Sequence, residues 1–183
     1  MSLTTQIFSC LFFPLLAIAC GGNASADRVP GLVEASVGTI DPKAEEKSII
    51  ALLNKESGSF EAKEVDELLT CYISDGRFSR IQQMPNGQGM AKFRGKPSEM
   101  RESLMAFFIS MDEDIFELKD RLGLEISYSD DNTVATVTYT QIAQIGDLRM
   151  KSEEIRTVER EDGEWKILLV SSILHQNPYL CFR

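Results

Sequence analysis

Three side chains have the chemistry for proton transfer: Tyr72, Asp75 and His175. A phenol can donate a hydrogen bond to a developing oxyanion, while a carboxylate or an imidazole can accept a proton. Each also has a bland reading. Tyr72 ends an apolar helical run, where aromatic rings pack; Asp75 precedes Gly76, where an aspartate caps or turns the chain; His175, the only histidine, falls at the end of the last strand as a surface or satisfied group. Glu154 and Arg156 alternate onto one face of a strand, either lining a pocket as a polar pair or pairing across a solvated sheet.

Other constellations fail by inspection. There is no C-x-x-C, no histidine pair and no G-x-S-x-G elbow, so no metal ligand set or nucleophile elbow is expected, and no cofactor. Asp112-Glu113-Asp114 opens like a calcium loop but has Glu117 where the sixth position needs glycine. Gly87-x-Gly89 lacks a third glycine and leads into a strand, so it is hairpin punctuation. Of four cysteines, Cys10 falls in the leader and Cys20 is the candidate lipid site that follows it, leaving Cys71 and Cys181 in the folded part. They either pair in an oxidising compartment, or Cys71 simply packs as a buried thiol.

The chain has 183 residues, enough for one domain and a short extra segment. With 28 acidic against 19 basic residues, the formal charge of −9 repels nucleic acid and acidic membrane surfaces. No charged side chain precedes Asp27, and the stretch from Ile7 to Ala19 is apolar apart from Ser9. That is too short to span a bilayer but suits a secretory leader over residues 1–19. Leu16-Ala17-Ile18-Ala19-Cys20 resembles a bacterial lipoprotein signal, which implies lipid on Cys20 and an envelope-anchored chain facing the periplasm. Ala24-Ser25-Ala26 fits the alternative cut, releasing a soluble secreted protein that starts at Asp27. Residues 20–42 read as a flexible tether, 43–176 as the domain and 177–183 as a tail.

The domain's elements must position the candidate groups. Asp41-Pro42 offers a cap and a first-turn proline for a helix over Lys43 to Phe60, carrying Ile49, Ile50, Leu52 and Leu53. Gly58 is expected to interrupt it, with a second helix resuming over Glu61 to Tyr72. A strand over Arg77 to Met84, a turn, and a return strand over Met90 to Phe93 follow, then a third helix after Gly95 with Met100, Leu104, Phe107, Phe108 and Met111 on its apolar face. From Ile115 onward the period drops to two and four strands form an antiparallel meander. Ala135, Val137 and Tyr139 share one face, and the last strand, Trp165 to Gln176, is apolar on both faces and belongs in the middle of the sheet. Trp165 itself is core or dimer-face packing.

The order helix, helix, two strands, helix, four strands makes an α+β fold, and the chain here resembles the nuclear transport factor 2-like superfamily, shared with ketosteroid isomerases and SnoaL-like proteins. The matching pieces are Tyr72-Ile73-Ser74-Asp75-Gly76-Arg77-Phe78, Gly95-Lys96 and Asp162-Gly163-Glu164-Trp165-Lys166-Ile167. The resemblance implies a cone: three helices on a strongly curved, mostly antiparallel sheet, an apolar cavity at the wide end, and an open sheet face that often makes a homodimer. The ligand-binding set expected here is Tyr72, Phe78, Phe108, Tyr139 and Glu154. The isomerase branch needs a tyrosine on helix one, where this chain has none, and a base that falls near Arg80, whose guanidinium stays protonated. Two functions remain: a noncatalytic module binding a small apolar ligand or a partner protein, or a lyase or isomerase acting through Tyr72, Asp75 or His175.

Overall fold

The computed structural model describes residues 41–83, 89–110, 116–145 and 148–175. Helix α1 spans Pro42–Glu61, capped by the Asp41 carboxylate, which accepts from the Lys43 amide at 3.0 Å. Gly58 does not interrupt it. Glycine inside a helix costs about 1 kcal/mol, and the final turn is held by Phe60, whose ring packs 5.0 Å from that of Phe108. The chain breaks instead at Lys63, which takes a left-handed φ of 59°. What was expected as a long second helix is therefore the short α2, Val65–Leu69. After β1 (Ser79–Gln83) and β2 (Met90–Arg94), a 3-10 turn over Pro97–Met100 leads into α3, Arg101–Ser110, which buries Leu104 and Phe108. Met84, Met111 and Asp112-Glu113-Asp114 lie outside the described residues.

The meander follows as β3 (Phe116–Tyr128), β4 (Val134–Ile145), β5 (Leu148–Glu161) and β6 (Glu164–His175). The six strands form one sheet in the order β2-β1-β6-β5-β4-β3. Neighbours are antiparallel except β1 and β6. The doubly apolar β6 is interior to the sheet, as its composition requires. Register shifts in β3 against β4 and in β5 against β6 bend the long strands, since an extra residue on one strand increases local twist. The helices pack on the concave face. Ile49, Leu53, Leu68, Phe78, Val137 and Ile167 are fully buried between the layers.

Two local devices fix the ends of this layer. Between β5 and β6 the turn places Asp162 at φ 53° and Gly163 at φ 86°, both left-handed, as a two-residue hairpin turn requires. Beside it Trp165 is buried, donating from Nε1 to Glu45 at 2.7 Å, with the Arg160 guanidinium 4.7 Å over its ring; it is core, not a sheet-face contact. A Cβ at Gly163 meets nothing within 4 Å, so Gly163→Ala carries only the backbone penalty. We expect a loss of about 1 kcal/mol, seen in urea unfolding as a lower midpoint with an unchanged slope.

Candidate functional site

The concave face carries polar groups where an apolar cavity was expected. In β4, β5 and β6 the register sets Tyr139 opposite Glu154, and Glu154 opposite Ser172, while Arg156 sits between Val137 and Val170. All of these side chains point toward α1. Glu154 and Arg156 are not a pair on a solvated sheet: only 7% and 9% of their surface is exposed, and Glu56 from α1 is equally buried at 7%. Arg156 donates from Nε to Glu56 at 3.2 Å and from Nη1 to Glu154 at 2.7 Å. Ser172 donates to the same Glu154 oxygen at 2.6 Å.

Tyr72 completes the cluster through its backbone. Segment 71–73 forms a bridge to β6, with the Ile73 amide donating to Ile167 and the Ile167 amide to Cys71. This pins Tyr72 with its ring 4.5 Å from that of Phe78 and its hydroxyl donating to Glu56 at 3.1 Å. Over the Tyr139 ring lie two guanidiniums, Arg121 at 5.6 Å and Arg156 at 5.8 Å. Arg121 reaches across to α1, donating to Asn54, the Leu53 carbonyl and Ser57.

Burial sets the protonation of these groups. Desolvation raises the Tyr72 phenol well above its ordinary range, and the Glu56 carboxylate adds to it. Tyr139 is pushed up to about 12, mainly by burial. For Arg156 desolvation opposes the charge, but Glu56, Tyr139 and Glu154 outweigh it and hold the guanidinium protonated. At neutral pH the cluster is thus two neutral phenols and one guanidinium shared by two acids.

The three proton-transfer candidates do not converge. Asp75 is on the surface, accepting from the Arg77 backbone and guanidinium, which hold its carboxyl below the usual range; Arg77 is in turn bound to Glu159. Its residue type at a turn wins over catalysis. His175 ends β6 half-exposed, 3.4 Å from Glu153. Only Tyr72 is in the cluster. Of the ligand-binding set, Tyr72, Tyr139 and Glu154 share the polar cluster, whereas Phe78 and Phe108 belong to the packed core. Cys71 is a buried free thiol, pushed up to about 11 by desolvation, and Cys181 lies outside the described residues. Glu56 escaped the sequence reading, although its phase was a signal: it falls on the stripe of Ile49, Leu52 and Leu53, where a carboxylate has to find a partner. Among the described residues no three His, Cys, Asp or Glu side chains are grouped to hold a metal ion.

With this geometry in hand, known structures give the fold. An uncharacterised nuclear transport factor 2-like protein from Pseudomonas putida superposes at a TM-score of 0.58 with 12% identity, covering 76% of this chain and 93% of that one. The chain has the nuclear transport factor 2-like fold. A candidate dehydratase of the nuclear transport factor 2-like family from Streptomyces avermitilis matches at TM-score 0.57 and 11% identity, over 75% of this chain and all (100%) of that one. A candidate scytalone dehydratase from Novosphingobium aromaticivorans matches at 0.55 and 13%, over 73% and 86%. No family model and no curated protein matches the sequence.

Within this fold the cluster's charges are interdependent. Arg156→Met should cost about 3–5 kcal/mol, because it strands two buried carboxylates; adding Glu56→Gln and Glu154→Gln should recover part of that loss in urea unfolding. The tyrosines give a pH signature. Tyr139 is neutral when folded and its folded value is raised, so its contribution is complete below pH 10 and is lost as pH climbs toward 12. Unfolding midpoints should fall across that window and fall less in Tyr139→Phe, with phenolate absorbance as the direct check.

Proposed function

We propose that this chain is a noncatalytic cell-envelope module, tethered through lipid on Cys20, whose concave sheet face binds a small molecule. The observation that carries the reading is that both interior carboxylates, Glu56 and Glu154, are engaged by Arg156. A general base needs a carboxylate free to take a proton in contact with its substrate. The first strand adds to this: Arg80 is half-buried on the concave side, where the isomerase branch would hold its base. The face keeps hydrogen-bonding capacity for a bound molecule, because the Tyr139 hydroxyl and the Arg156 Nη2 have no partner among the described residues. The convex face offers a second surface, with Ile155, Ile173 and Leu122 exposed across β5, β6 and β3, suited to a partner protein or a second copy.

A lyase acting on a hydrophobic small molecule is the second reading. It is favoured by the remaining Glu154 oxygen, which has no hydrogen bond among the described residues, and by the two neighbours named as candidate dehydratases. Glu154 would then take the proton and Tyr139 would donate to the substrate's oxygen.

Native mass spectrometry of the full chain purified from envelopes tests both readings. The expected result is a copurifying small molecule, returned unchanged after incubation with fresh protein, on a chain carrying lipid at Cys20. A returned ligand that has lost water supports the lyase and overturns the noncatalytic reading. An unmodified N-terminus at Asp27 overturns the tether.

A further inference from the structure

We propose that the concave face holds an anion-recognition position at Arg80, and that the molecule bound there is an organic monoanion, a carboxylate carried on an apolar body. This deepens the reading of that face as a small-molecule site and rests on it. Register places the residue: Arg80 pairs with Val170 on β6 and with Phe93 on β2, and Val170 is buried beneath the helices. Gln82, two residues on, pairs with the buried Ser172. Arg80 therefore projects to the same side as Arg156 and Glu154. Its charge is felt at the buried Tyr72 phenol, which it draws toward the phenolate.

Arg80 differs from the other arginines on this face in having no acceptor. Arg156 has Glu56 and Glu154, and Arg121 has Asn54, Ser57 and the Leu53 carbonyl. The Arg80 guanidinium makes no hydrogen bond or ion pair among the described residues, its backbone being held in the ladder between β2 and β6. With Arg160 matched by Glu45, the four guanidiniums on this face stand against three carboxylates and leave 4 − 3 = +1, in a chain whose formal charge is −9. The Arg80 nitrogens are open to solvent, so an incoming anion can reach them, and the planar fork fits a carboxylate through two parallel bonds. A phosphate monoester brings −1.5 to −2 charges, more than the single surplus charge balances beside Glu56 and Glu154. The surroundings are apolar: Phe93 lies opposite Arg80, and Phe78 packs against both Phe93 and Tyr72. The ligand's remainder is accordingly hydrocarbon or aromatic.

Calorimetric titration of the full chain with hexanoate, decanoate and phenylacetate, each beside its primary amide, with inorganic phosphate as an ion control, tests this. At least one acid should bind about tenfold or more tightly than its amide. Arg80→Gln and Arg80→Met should reduce that acid to the level of its amide while leaving the amide unchanged. In the wild-type chain, phenylglyoxal labelling of Arg80, mapped by mass spectrometry, should be blocked by the same acid, a readout that does not depend on the variants folding. If acids and amides bind alike, if phosphate competes as well as the acids, or if the acid fails to protect Arg80, the carboxylate proposal falls while small-molecule binding stands. If neither acids nor amides bind, both fall.

Discussion

A guanidinium shared between two buried carboxylates is the constraint around which the domain is arranged. Arg156 on β5 holds Glu154 on its own strand and Glu56 on α1, so one side chain ties the sheet to the long helix. Taking three charges out of water is costly, and their mutual attraction repays that cost only with close geometry and further hydrogen bonds. Tyr72 and Ser172 supply those bonds. The position of α1 over the sheet is therefore set by polar as well as apolar contacts. A helix held by Ile49, Leu52 and Leu53 alone could slide by a turn at lower cost than one with Glu56 seated on Arg156.

The same arrangement decides what chemistry the interior can do. Acids engaged by an arginine are poor proton shuttles, and phenols raised by burial remain neutral donors at ordinary pH. Such a surface presents fixed donors and charge. Arg80 adds a further cation along the first strand, on the same side of the sheet as Arg156. The fold supplies a concave wall, and the residues on it, more than the fold, decide its chemistry.

Much of the scaffold was legible in the residue order. The Asp41-Pro42 cap, the drop to period two after α3, the face shared by Ala135, Val137 and Tyr139, and the central place of β6 all follow from local pattern, and the structure has each of them. Gly58 misled because a glycine's helix penalty is small beside the packing of Phe60 two residues on. Asp75 and His175 misled for another reason: residue type says what a group can do, but exposure and partners decide whether it does.

By itself the sequence determined the class of elements, their order, the acidic surface and the two faces of the meander, because these depend on short-range periodicity and side-chain size. The alternation also put Glu154 and Arg156 on one face. Only the tertiary structure decided that this face is buried, that Glu56 arrives from a hundred residues away to meet Arg156, and that Arg80 is left without an acid. Charge pairing is a property of distances across the chain. Local spacing has no access to those distances until the sheet bends around the helices.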